Sequence, residues 1–157
     1  MRGVVTWVGW ALLTSVAAAA GGYASRTAAG FYATLDRPPW APPAWLFAPA
    51  WTLLYVLMAT GAWMVSRTGA AGTGAALGLY VVQLVANAAW TWIFFSFRRG
   101  AWAFAEVLLL LTLVALTLVA FWRVRPLAGA LLVPYLGWVS FATALTWSVW
   151  RRNPTLL

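Results

Sequence analysis

Five long apolar runs, separated by short polar or glycine-rich breaks, make up most of the 157-residue chain. They cover roughly 4–25, 45–65, 76–97, 101–122 and 127–150. About 20 apolar residues cross the hydrocarbon core as a helix. In lipid each backbone polar group must be satisfied within its own segment. The pattern therefore predicts an all-α integral membrane protein, a single domain over residues 1–157 built as a bundle of five transmembrane helices. The short alternating segments of a membrane barrel are absent. The breaks agree with this division: "SRTGAAGTG" ends the second run, "RRG" (98–100) makes a tight turn, and "RVRP" (123–126) sets Pro126 where a helix can start. The first run follows Arg2 and ends in "AAAAGGYA", which also suits a secretory signal, but its length fits a span.

Only the first connection, residues 26–44, is long, and long loops in compact proteins are often functional. It contains "RPPWAPPAW" (37–45), with four prolines and two tryptophans. Proline fixes φ and lowers the entropy lost on ordering. The segment is expected to face inward, as a stiff lid over a site between the helices.

The third run carries two amides, Gln83 and Asn87, four residues apart and so on one helix face. Tyr80, Trp90 and Phe94 share that stripe. Amides in hydrocarbon must face protein or a cavity, which leaves interhelical hydrogen bonding or a ligand site. Most tryptophans lie near span ends, as an interfacial aromatic belt requires; Trp51, Trp90 and Trp138 lie deeper. At 1.5 Å per residue, Trp51 is about 9 Å below the first-loop side, Asn87 and Trp90 about 10–15 Å, and Trp138 about 18 Å. Ala142 and Leu145 share the Trp138 face, nearer the loop. These depths allow the residues to meet beneath the lid. Apolar walls, ring faces and a few convergent polar groups suit a flat aromatic ligand, and the small Ala142 leaves room for it. Glu106, early in the fourth run, is expected to snorkel or to pair with Arg98 or Arg99. Gly74 and Gly78 form G-x-x-x-G, a spacing that permits close helix approach and dimerisation, although loop composition beside Gly72 competes as an explanation.

Charge changes the picture little. Only 8% of residues are charged, and the net charge of +8 comes from ten basic residues against Asp36 and Glu106. The arginines stand singly or in pairs between apolar runs, which points to topology and lipid headgroups and not to nucleic acid. Six of them (Arg26, Arg37, Arg98, Arg99, Arg151, Arg152) fall on the side of the first loop and C-terminus, and four (Arg2, Arg67, Arg123, Arg125) on the other. This bias places the first loop and C-terminus in the cytoplasm. The chain has neither Cys nor His, which excludes disulfides, thiolate chemistry, Cys/His metal sites and histidine-based triads or haem ligation. No metal site and no required cofactor are expected.

"FYATLDRPPWAPPAWLFAPAWTLLYVLM", "QLVANAAWTWIFF" and "VPYLGWVSFATAL" resemble the signature regions of the TspO/MBR family, the tryptophan-rich sensory proteins related to the mitochondrial translocator protein. The resemblance covers nearly the whole chain and has a bacterial character. It implies a five-helix bundle, commonly a homodimer, that binds protoporphyrin and other tetrapyrroles in the bilayer and regulates their levels. Some members also bind isoquinoline- or benzodiazepine-type ligands. Carried onto this chain, the family's ligand pocket implies Tyr32, Trp40 and Pro42 from the loop, with Trp51, Gln83, Asn87, Trp90, Trp138, Ala142 and Leu145 from the helices. Trp51 and Trp138 match tryptophans linked to light-driven porphyrin breakdown. The animal sterol motif is not matched: "LTWSVWRR" offers Trp147 and Trp150 where that motif needs Tyr.

Three functions follow as expectations. The first is a tetrapyrrole-binding membrane receptor or sensor. The second is light- and oxygen-dependent porphyrin degradation, with Trp51 and Trp138 as catalytic residues. The third is transport of porphyrins or other apolar ligands. No residue supplies a base, metal or flavin site for dedicated turnover, so an enzyme is not the favoured reading.

Overall fold

A computed structural model describes residues 2–157. Helix α1 is Arg2–Ala24, α2 Ala28–Thr34, α3 Phe47–Ser66, α4 Thr73–Thr91, α5 Gly100–Val124, α6 Pro126–Ala130 and α7 Val133–Arg152. A 3-10 turn, Ala44–Leu46, leads into α3, and a π-helical turn, Trp92–Ser96, extends α4. Among the described residues five segments are long and apolar enough to cross a membrane: Gly3–Ala24, Ala44–Ser66, Thr73–Ser96, Gly100–Val124 and Pro126–Arg152. The chain is an integral, multi-pass membrane protein. Its outward face is apolar, with Val4, Leu12, Val16, Leu53, Val85 and Leu109 all exposed, as lipid contact requires. Trp7, Trp45, Trp102, Trp122 and Trp147 are likewise exposed near span ends.

The breaks have local causes. Gly69 and Gly72 take positive φ (61° and 85°) between α3 and α4, a conformation that glycine enters without steric cost. Arg125 is extended (φ −154°, ψ 107°), as a residue before proline prefers, and Pro126 then opens α6. The fifth span departs from the sequence expectation, because it is broken at Leu131 and Leu132 between α6 and α7. Gly129 lies so close to α5 that a Cβ would fall 2.8 Å from the Trp122 backbone. This contact holds α6 against α5 as a separate turn. The first loop also differs, since it contains α2.

Around the bundle α1 packs on α3 and α4, α5 on α4 and α7, and α6 on α3 and α5. The α3–α7 side has little close backbone packing and is filled by rings. Trp51 meets Trp138 (6.4 Å between centroids) and Tyr135 (6.1 Å), and Phe47 meets Trp138 (5.9 Å). Small residues let the other helices approach; large flat ones hold this pair apart. The cavities lie beside this seam, with Phe47, Trp51 and Trp138 among their lining residues.

Candidate ligand-binding site

The larger cavity has a volume of about 330 Å³. Helix α1 gives it a wall of small residues, Ala18, Gly21, Gly22 and Ser25, and α2 adds Ala28, Ala29 and Tyr32. Opposite stand Phe47, Ala48, Trp51 and Tyr55 of α3, with Trp90, Thr91 and Phe95 at the end of the third span. Gly22, Ala29, Ala44 and Ala48 on its rim are exposed. A second, much smaller cavity of about 20 Å³ lies against α7, lined by Trp138, Phe141, Ala142, Leu145, Thr146 and Val149. Tyr32, Phe47, Trp90 and Phe95 line both, so these four side chains form the partition between two lobes. The π turn contributes directly: Phe94 lines the small lobe and its chain neighbour Phe95 lines both. π-helical turns occur frequently at functional sites.

Sequence depth left room for Trp51 and Trp138 to meet, and in the structure their rings meet edge to face, Trp51 on the larger lobe and Trp138, Ala142 and Leu145 on the smaller. Trp90 and Tyr32 stand between the lobes. Gln83 and Asn87 line neither. Both are fully buried and belong to a hydrogen-bonded chain across three helices. The Tyr55 hydroxyl donates to Asn87 Oδ1 (2.9 Å), Asn87 Nδ2 donates to the Tyr135 oxygen (3.1 Å), and the Tyr135 hydroxyl donates to Gln83 Oε1 (2.8 Å). Gln83 Nε2 ends the chain on Met58 Sδ at 4.0 Å. Of the two explanations for these amides, interhelical bonding describes the geometry. The Asn87 side chain is linked to the larger cavity through Tyr55, whose ring stacks on Trp51 (5.4 Å).

The loop covers the site differently from the inward lid expected. Trp40 is half exposed, with its edge on Phe141 (5.8 Å), and Trp45 is 71% exposed. Neither Trp40 nor Pro42 lines a cavity. Tyr32 already occupies the inward position, and its hydroxyl donates to the Pro42 carbonyl at 3.1 Å. The Tyr32 phenol pKa is raised above its ordinary value, mainly by burial, while the neighbouring Arg37 guanidinium opposes the rise. A latch to the C-terminal end fixes the loop. Asn153 Nδ2 donates to the Asp36 carbonyl (2.9 Å), the Asp36 amide donates to Asn153 Oδ1 (2.8 Å), and Arg152 pairs with the Asp36 carboxylate (3.5 Å).

Glu106 also departs from expectation. It pairs with neither Arg98 nor Arg99, and both its carboxylate oxygens are buried without a partner. Arg98 instead lies over the Phe31 ring at 4.6 Å. Gly74 and Gly78 are exposed, with open space where a Cβ would stand. Among the described residues no group of three or more His, Cys, Asp or Glu stands together to hold a metal.

Sequence reasoning missed Tyr55, Tyr135, Phe47, Phe95 and the α1 wall. Tyr55 follows Trp51 by four residues and Tyr135 precedes Trp138 by three, so helical spacing could have placed each on its tryptophan's face. "AAAAGG" in the first run was the signal for a close-approach wall.

The family model described as TspO/MBR family matches residues 10–151. The translocator protein of Homo sapiens is 44% identical over 126 residues, covering 78% of this chain and 75% of that protein. Protein CrtK of Rhodobacter capsulatus is 44% identical over 126 residues (79% of each chain). The tryptophan-rich sensory protein of Cereibacter sphaeroides is 40% identical over 148 residues (92% of each).

Proposed function

Because the chain belongs to the TspO/MBR family, we propose that it is a membrane receptor or sensor that binds porphyrins and other tetrapyrrole intermediates in the cavity beside α2 and regulates tetrapyrrole metabolism. The observation that carries this reading is the larger cavity, with the rings of Trp51, Tyr55, Trp90 and Phe95 opposite a wall of Ala and Gly. Ring faces and apolar burial suit a flat conjugated ligand. Its volume lies at the lower end of the roughly 300–1,000 Å³ range of ligand sites. A whole tetrapyrrole would therefore extend past the rim or across the partition into the smaller lobe.

Titrating the purified protein with protoporphyrin, read by tryptophan fluorescence, tests the reading. Saturable quenching that is lost when the cavity is filled by Ala48→Trp supports it, and no saturable binding refutes it. With neither His nor Cys to hold iron, haem should bind no more than about 100-fold tighter than metal-free protoporphyrin, roughly 2.7 kcal/mol.

The edge contact between Trp51 and Trp138 favours a second reading, light- and oxygen-dependent porphyrin loss. Indole is more readily oxidised than a phenyl ring, so Trp51→Phe and Trp138→Phe would each slow bleaching of the Soret band more than they weaken binding. Equal loss rates at full occupancy would leave the protein a binder. For assembly we propose a homodimer through the open face at Gly74 and Gly78, with the first loop and C-terminus in the cytoplasm.

A further inference from the structure

The chain has two acidic side chains, and they are placed in opposite ways. Asp36 is exposed and paired with Arg152. Glu106 stands inside the span Gly100–Val124, about 9 Å along the helix from Gly100 at 1.5 Å per residue. The residue is half-buried, but both its carboxyl oxygens are buried and neither has a hydrogen-bond partner. Helical spacing explains the direction. Ala103 and Leu110, one turn to either side, are fully buried, so Glu106 shares the face that α5 turns to the bundle. The ionisable groups on the elements around α5 are held elsewhere. Tyr55 on α3 donates to Asn87, Tyr80 on α4 bonds to Thr14, and Tyr135 on α7 donates to Gln83. Arg151 lies over Trp147, Arg152 pairs with Asp36, and Arg98 lies over Phe31. Arg99 is exposed. None of them bonds to Glu106.

A carboxylate with neither water nor a partner is costly to bury, far more so than the neutral acid, which forgoes only its hydrogen bonds. The charge must therefore be cancelled by something small. Glu106 lines neither cavity, so no organic cation has room beside it. Among the described residues no group of acids, histidines or cysteines completes a metal site there. A proton needs no room. We propose that Glu106 is a proton-binding site of the bundle, filled while α5 is packed on its neighbours and emptied when that packing opens and water reaches the carboxyl. The linkage has a fixed direction. The closed bundle holds the proton, and the opened bundle, with a solvated carboxyl, has released it once the pH exceeds about 4.3. Above that pH the closed form binds more protons than the open one. Raising the pH then favours opening, by up to about tenfold per pH unit for one proton, until the closed form too loses its proton. The α4–α5–α7 side of the bundle is thereby coupled to pH through one side chain.

Glu106 is the chain's only glutamate, so glutamate labelled with ¹³C at its side-chain carboxyl gives one resonance to follow. A solvated glutamate is more than about 99% ionised at pH 7. The expected result for the folded wild type at that pH is the signal of a carboxylic acid; a carboxylate signal overturns the proposal. The second measurement compares the wild type with Glu106→Gln, which keeps the shape of the acid and cannot ionise. Neither Cys nor His is present to titrate near neutrality. Between about pH 6 and pH 8 the unfolding equilibrium of the wild type in mixed micelles should move toward the unfolded form by about 10- to 100-fold more than that of Glu106→Gln. Equal pH dependence in the two proteins overturns the proposal. If Glu106→Gln does not fold, the ¹³C signal of the wild type decides alone. Neither measurement uses a ligand, so the outcome is independent of the tetrapyrrole reading.

Discussion

Replacing Tyr135 by Phe tests whether the buried amides are scaffold or site. The Tyr135 hydroxyl is the centre of the polar chain, donating to Gln83 and accepting from Asn87. The substitution removes one oxygen, keeps the ring that meets Trp51 edge-on, and leaves almost no cavity. Hydrogen bonds between transmembrane helices average about 0.6 kcal/mol in double-mutant cycles, so two lost bonds cost about 1.2 kcal/mol. Stranding two amides that are 0% and 1% exposed could add about 1–3 kcal/mol each. That addition is limited because Gln83 and Asn87 are one turn apart on α4, within reach of one another. We expect a loss of about 1–2 kcal/mol. Tyr55→Phe cuts the chain at its end, strands only Asn87 Oδ1, and should cost about half as much by the same reckoning. Unfolding by sodium dodecyl sulfate in mixed micelles, followed by helical circular dichroism, measures both. Protoporphyrin affinity of Tyr135→Phe should stay within about threefold, under 0.7 kcal/mol. A cost for Tyr135→Phe no greater than for Tyr55→Phe would refute the reasoning about the chain. A tenfold loss of affinity at full stability would return the amides to the site.

Three further outcomes follow. Ala142→Phe puts a phenyl ring into a lobe of about 20 Å³, so it should overpack, lowering stability by about 1–3 kcal/mol together with ligand binding; lost binding with an unchanged melting temperature would show that the lobe is larger in solution. Gly129→Ala forces a Cβ onto the Trp122 backbone and should lower the melting temperature, whereas Gly78→Ala, in open space, should leave the monomer's stability unchanged. Asn153→Ala removes the latch on Asp36 and should speed proteolytic cleavage within residues 26–44, with the span fragments otherwise intact.

The five spans were legible because length and apolarity alone decide what crosses a bilayer. Helix α2 was not, since seven residues (Ala28–Thr34) are too few for a periodic signal and packing supplies what propensity does not. The break at Leu131 and Leu132 was hidden for the opposite reason: both residues are apolar, and the turn arises from the approach of Gly129 to Trp122 on another helix. Depth along each span, about 9 Å for Trp51 and about 18 Å for Trp138, allowed the two to meet but did not set them together. Depth carries no rotation. The partners of Gln83 and Asn87 are tyrosines on two other helices, and nothing in the third run itself records them. The loop prolines gave its stiffness but not its facing, which Tyr32 and Asn153 determine from outside the proline segment.

The latch between the first loop and the C-terminal end joins residues 117 positions apart. In biosynthesis this fixes an order. The ribosome delivers α1, α2 and α3 early, yet Asn153 emerges only after the fifth span. Until then the carbonyl and amide of Asp36 lack the side chain that holds them, and the cover of the larger cavity is unfastened. A nascent chain can therefore assemble its helices around an accessible cavity, and the loop is secured only once the fifth span, Pro126–Arg152, has been made.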